Sequence, residues 1–535
     1  MDRRQFLALS GAGLLAQAGL ERPGPVVTTA AGRVRGMTDG AVHIFRGVPY
    51  GASTAGLNRF QPPRTPAPWT GIRDVTAYGP RAYQPFRPMI PEIGDALTGS
   101  GPMSEDCLRL NVFTPGTSGR RPVMVWFHGG GQRTGSGNSI FYDGRALARR
   151  HDVVVVTTTH RLNAFAYFWL AGLPGTGARF ADSTNLGLRD LVLALEWVRD
   201  SIARFGGDAG NVTIFGQSGG GGKTAMLTGF PAARGLFQRA IIMSTLAETA
   251  VTGLRPERAL EAAALLLRRL NIAPAQAPRL LDLPAERIVE ALAGTGPDLS
   301  TRFVPVVDGR TLPADPFSPA SPLSATVPIL TGSNECEGIP YGNPDDPYWT
   351  SEPADDTALR MRIQQLLPMG DAEATRMITL YRSHRPAATS ADLAAIMAGD
   401  ASELRAAAYV IAAAKHAQGG APVYLYRFNW RSPVRRGTLR SMHGMELPFV
   451  FDHPDLFGSL TGNGADRHPL AHDMSSAWVA FARTGNPNHA GVPVWDVWTP
   501  TRRATMVFDT TTIAMDDPWG DERRAMEAAR KQARP

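Results

Sequence analysis

The chain has 535 residues, 43% hydrophobic and 19% charged, an ordinary globular balance with enough apolar residues for a large core. Its formal net charge is +7. The basic residues are scattered, with no Lys/Arg block interleaved with aromatics, so the excess argues for solubility and against a nucleic-acid partner. Two cysteines, Cys107 and Cys336, exclude a disulfide framework and allow at most one bridge. No short paired Cys/His spacing offers a structural zinc site.

The N-terminus reads as a targeting segment. Asp2-Arg3-Arg4-Gln5-Phe6-Leu7 is a twin-arginine pattern, an apolar run follows to Ala16, and Ala16-Gln17-Ala18 supplies small residues for cleavage. Residues 1–18 are therefore expected to be a twin-arginine signal peptide. A bacterial protein exported folded to the periplasm or beyond follows from it. The run is too short to span a membrane, and no later stretch approaches the ~20 apolar residues a spanning helix needs.

Residues 19–535 are expected to form a single domain. Val26 to about Tyr50 reads as short strands between Gly and Pro turns. Pro88 to Met103 reads as a surface loop. Pro122–Phe127 and Val153–Thr157 are continuous apolar, β-branched runs that suit strands of a parallel sheet covered on both faces. Leu188, Leu191, Leu195, Val198 and Ile202 recur at helical spacing. A short strand at Val212–Phe215 precedes a run of glycines and a helix beginning near Gly221. Helices are expected over about 256–293, 358–382 and 391–418. The C-terminal basic residues alternate with acids and alanines, as on a solvated helix. Strand and helix in alternation predict an α/β fold with a large, mostly parallel central sheet.

Gly216-Gln217-Ser218-Gly219-Gly220 fits Gly-x-Ser-x-Gly between that strand and that helix. Such a turn holds the serine in a strained conformation above the sheet edge, and its glycines let strand and helix approach. Ser218 is the candidate nucleophile. Gly222-Lys223-Thr224 imitates the end of a phosphate-binding loop, but the glycine required five positions earlier is displaced by one residue, with Gln217 in its place. Gly11-Ala12-Gly13 imitates a dinucleotide fingerprint, yet no strand precedes it and it lies in the targeting segment.

Over a longer span, Phe205-Gly206-Gly207-Asp208-Ala209-Gly210-Asn211-Val212 through Gly220 resembles the serine signature of the type-B carboxylesterase family, which includes bacterial p-nitrobenzyl esterases and the cholinesterases. Glu105-Asp106-Cys107-Leu108-Arg109-Leu110-Asn111-Val112 resembles its second signature. Gly47-Val48-Pro49-Tyr50, Arg59-Phe60, Asn163, Asn185-Leu186-Gly187 and Thr484-Gly485-Asn486-Pro487-Asn488 also fit. The resemblance covers about 45 to 510. It implies an α/β-hydrolase fold, with helices on both faces of the sheet and helical excursions around an active-site gorge.

The resemblance also implies the other catalytic parts. His128-Gly129-Gly130-Gly131 matches the oxyanion loop, so the N–H groups of Gly130, Gly131 and Gly219 are expected to hold the developing negative charge. Glu337, immediately before Gly338, matches the triad acid better than its neighbour Glu335. His443, in His443-Gly444-Met445-Glu446, matches the base. Three departures stand out. Gln217 replaces a frequent Glu, which argues against a cationic alcohol. Gly219 replaces the usual Ala, which should leave the N–H donor intact. No cysteine upstream of Cys107 staples the loop between about Gln84 and Met103, which is expected to be a mobile rim of the pocket. Phe449 and Phe451 are assigned to the core.

The expected activity is hydrolysis of carboxylic esters through an acyl-enzyme, with a small-molecule ester as partner. No metal or organic cofactor is required, no stable membrane insertion is expected, and the chain is expected to be a monomer or small homo-oligomer. Two alternatives compete. A non-catalytic binding protein of this fold would lack triad members, which are all present here. A hydrolase of amide, carbonate or lipid substrates would use the same machinery.

Overall fold

The computed structural model describes residues 22–85, 90–99, 101–293, 298–339 and 350–532. The expected targeting segment lies outside them, as do 88, 89 and 100 of the expected surface loop.

Among the described residues thirteen strands form one sheet. They are β1 (Arg22–Thr28), β2 (Arg33–Asp39), β3 (Val42–Pro49), β4 (Ile72–Asp74), β5 (Arg109–Thr114), β6 (Arg121–Phe127) and β7 (Val154–Thr159), followed by β8 (Gly207–Gln217), β9 (Arg239–Met243), β10 (Ile329–Asn334), β11 (Val423–Phe428), β12 (Ala504–Phe508) and β13 (Ile513–Asp516). The centre, in the order β7-β6-β8-β9-β10-β11-β12, is parallel. Antiparallel strands β1-β2-β3-β5 extend one edge and β13 closes the other.

The continuous apolar runs are explained by two buried faces. In β6, Val123, Val125 and Phe127 join one core cluster, and Met124 and Trp126 join another on the opposite face. The first cluster is covered by α1 (Leu186–Ser201), whose Leu188, Leu191, Leu195 and Val198 are fully buried, as is Ile202 just beyond. Each such side chain contributes about 2 kcal/mol of burial. On that face also lie α2 (Gly219–Thr228) and α3 (Glu403–Gln418). The other face receives α4 (Arg467–Thr484) through Leu470, Met474, Trp478 and Phe481.

Several boundaries differ from expectation. The strand expected at 212–215 runs the length of β8, because its edge pairs with β6 back to Gly207. Its helix starts at Gly219 and not at Gly221. The 358–382 helix is two, Asp356–Leu366 and Asp371–His384, parted where Pro368 and Gly370 interrupt the chain. The 391–418 helix breaks at Ser402, whose hydroxyl accepts from the Arg405 N–H and caps α3. The expected surface loop is partly core: Ile90 and Ile93 are buried in the second cluster. No helix among the described residues is long and apolar enough to cross a membrane.

Because β6, β8 and β10 are parallel, the chain leaves all three on one edge of the sheet. Phe127 pairs with Gly216, and the registers of β9 and β10 carry Gln217 through Met243 to Gly332. The segments beginning at His128, Ser218 and Glu335 therefore gather at one place, the usual position of a site in such sheets.

Candidate active site

Ser218 sits between β8 and α2 with φ 58° and ψ −127°. A non-glycine residue held there costs about 1–3 kcal/mol, which the surroundings must supply. They do so through two backbone bonds: Ser218 N–H donates to Met243 O (2.9 Å), and Gly222 N–H donates to Ser218 O (3.0 Å). The flanking glycine is forced by contact. A Cβ on Gly220 would lie 1.9 Å from Phe127 O. The strand–turn–helix context expected of the motif is present, and Ser218 is half-buried.

His443 and Glu337 meet across 106 residues of chain: Nδ1–H of His443 donates to Glu337 Oε2 at 2.6 Å. The other carboxylate oxygen accepts from the Asn334 N–H at 2.8 Å. Burial by itself would raise the Glu337 carboxyl, but the His443 charge and these bonds outweigh it and hold it below its ordinary value. Glu335, the competing acid, faces elsewhere, with Oε1 3.5 Å from Arg427 and 3.7 Å from Arg385. The Gln217 amide lies against the His443 ring, 3.3 Å from Nε2 and 3.5 Å from Nδ1.

Two supporting residues were not singled out from sequence. Asn334 donates its side-chain N–H to Glu446 Oε2 (2.5 Å) and to Met442 O (2.8 Å), tying the segment of the candidate acid to that of the candidate base. Glu446 is fully buried. Burial, and then the Glu337 charge, push its carboxyl up to about 7. Its signal was present in the sequence: an acid three residues after the candidate base, inside an otherwise apolar stretch.

The candidate oxyanion segment follows β6. Gly130 (φ 90°) and Gly131 (φ 67°) take left-handed conformations that other residues resist. Among the described residues, the N–H groups of Gly130, Gly131 and Gly219 donate to no protein acceptor. That of Gly219 opens a helix and so has no acceptor within it. The segment is pinned from three sides. Gln84 donates to Gly135 O (3.1 Å) and accepts from Gly135 N–H (2.8 Å), Asn163 N–H donates to Gln132 O (2.7 Å), and the Gln132 amide donates to Gly219 O (3.3 Å). A Cβ on Gly219 would stand 2.0 Å from Gly131 O, so the absence of alanine here reflects packing against this segment.

The expected mobile rim is anchored at both ends: Gln84 as above, and Arg81, which exchanges backbone bonds with Pro102 and Ser104 (both 2.9 Å). Cys107 and Cys336 are both free and buried. Phe449 and Phe451 are core residues, packed on Phe428 and Trp430 and on Trp126 and Phe215 respectively.

Fold and site together define an α/β hydrolase. The chain belongs to the carboxylesterase family, whose model matches residues 23–526, and it is a carboxylic ester hydrolase. It is 34% identical to the para-nitrobenzyl esterase of Bacillus subtilis over 94% of this chain and 98% of that one. Among solved structures it resembles a carboxylesterase of Geobacillus stearothermophilus (36% identity, TM-score 0.77, covering 94% of this chain and 99% of that one). It also resembles an esterase from anaerobic Clostridium hathewayi that hydrolyses aliphatic aromatic polyesters (30% identity, TM-score 0.80, covering 95% and 100%).

Proposed function

We propose that this esterase works through Ser218 as nucleophile, His443 as base and Glu337 as the acid that orients the base, with Gly130, Gly131 and Gly219 as oxyanion donors. The observation that carries the reading is the buried 2.6 Å bond between His443 and Glu337, which leaves Nε2 as the ring nitrogen that can act as base. Nε2 removes the Ser218 proton as Oγ attacks the ester carbonyl, and Glu337 stabilises the imidazolium that forms. The tetrahedral oxygen takes the three N–H groups, each worth about 100- to 1000-fold in rate. The alcohol leaves with the proton, and water repeats the cycle on the acyl-enzyme. Gln217 puts a neutral amide beside the base, which favours uncharged alcohols as leaving groups.

The twin-arginine segment supports cleavage after Ala18 and export of the folded chain to the periplasm or beyond, with 19–535 acting as one domain. Cell fractionation with Arg3→Lys and Arg4→Lys tests this, and export unaffected by both changes counts against it.

The catalytic reading is tested with residues 19–535 on p-nitrophenyl acetate, butyrate and octanoate, with Ser218→Ala in parallel. Turnover lost in the variant supports it. Turnover surviving in the variant removes Ser218 as nucleophile.

A further inference from the structure

The Gly222-Lys223-Thr224 triplet, which fits no phosphate loop, has a different use in the fold. Lys223 is fully buried on α2, five residues after Ser218. Its stem runs back toward the helix N-terminus, as helical side chains do. There Nζ donates to His128 O (3.0 Å) and Gly131 O (3.2 Å), the two ends of the oxyanion segment. Among the described residues no carboxylate pairs with it. A buried ammonium without a counter-ion is expensive, and such groups collect at functional sites.

The Gly131 carbonyl accepts from Lys223 Nζ and packs so closely on the first turn of α2 that a Cβ on Gly219 would stand 2.0 Å from its oxygen. Lysine and glycine thus form a matched pair that fixes the orientation of the peptides on either side of the candidate donors.

We propose that Lys223 is a positioning residue for the oxyanion hole: its buried ammonium clamps the carbonyls of His128 and Gly131 and, while protonated, adds positive charge behind the donors. The proposal rests on the catalytic reading given above. The titratable groups facing Lys223 are His128 on the same segment and His160 after β7, whose rings stack at 4.7 Å. Burial, and then the Lys223 charge, hold both well below the usual imidazole range, so neither supplies a counter-charge or a competing cation. Burial likewise brings the Lys223 ammonium down to about 7, so its charge fades as the medium turns alkaline.

The test compares wild type, Lys223→Met and Lys223→Arg on p-nitrophenyl butyrate from pH 5.5 to 9.5, with thermal melting of each. Lys223→Met is expected to lose about 10- to 100-fold in kcat with KM within about 3-fold, less than the loss of a whole donor. Lys223→Arg should recover part of that loss. Wild-type kcat should fall on the alkaline side of pH 7, and Lys223→Met should lack this limb, a difference that a purely structural lysine would not produce. A folded Lys223→Met with kcat within about 3-fold of wild type, or one that keeps the alkaline limb, overturns the proposal. Should Lys223→Met not fold, a wild-type profile with no alkaline limb overturns it. Ser218→Ala keeps the two readings apart: activity surviving there refutes the nucleophile, whereas a dead Ser218→Ala beside a fully active Lys223→Met refutes the clamp alone.

Discussion

Gln217→Glu places a carboxylate where a neutral amide now lies 3.3 Å from Nε2 of the proposed base. An anion there favours the imidazolium, so the base stays protonated to higher pH and the acidic limb of kcat/KM moves up. Coulomb's law at about 4 Å and an effective dielectric of about 20 gives ~4 kcal/mol, roughly three pKa units, as an upper bound. Position 217 is only 3% exposed, so the new carboxylate is itself penalised by burial and part of its charge is lost. We expect a shift of about one unit, which at a pH below the limb means about 10-fold less activity relative to the plateau. The assay is p-nitrophenyl butyrate hydrolysis from pH 5 to 8, with rates normalised to active sites by the p-nitrophenol burst. A variant profile superimposed on wild type, or moved to lower pH, refutes the placement of residue 217 beside the base.

Glu337→Gln keeps the shape of the acid but no longer stabilises the imidazolium; kcat should fall on the order of 10,000-fold with KM little changed, measured by steady-state kinetics. Gly220→Ala sets a Cβ 1.9 Å from Phe127 O. Strand and helix must part, and denaturant unfolding should show a loss of more than about 2 kcal/mol. Glu446 has a folded carboxyl raised to about 7 from an ordinary 4.5. Its protonated form stabilises the fold fully below about pH 4.5, and that contribution disappears as pH rises through about 7. Glu446→Gln should therefore melt higher than wild type at pH 8, by up to about 3 kcal/mol of stability, with a smaller difference at pH 5; equal differences at both pH values would contradict the buried, protonated acid.

The regular elements were legible wherever local pattern sufficed. The periodicity of Leu188, Leu191, Leu195 and Val198 marked the buried stripe of α1, and the apolar runs around Val125 and Val155 marked strands covered on both faces. Boundaries were less legible where a partner decided them. β8 reaches back to Gly207 only because β6 lies beside it. Ile90 and Ile93 sit in a Gly- and Pro-rich stretch that reads as a loop, yet the second core cluster takes them in.

By itself the sequence determined the serine turn, because Gly-x-Ser-x-Gly is a contiguous pattern set between a strand run and a helical run, and through its motifs it marked the candidate acid, base and oxyanion segment; the atoms that exclude a Cβ at Gly219 and Gly220 belong to Gly131 and Phe127, far along the chain. Only the tertiary structure decided the rest. Parallel pairing brought the ends of β6, β8 and β10 to one edge, turned Glu335 to Arg427 and Glu337 to His443, and laid Lys223 under the oxyanion segment. These are contacts between residues about 90 to 110 positions apart. Nothing in local spacing encodes them, because they exist only once sheet register has fixed which backbone atoms lie within reach.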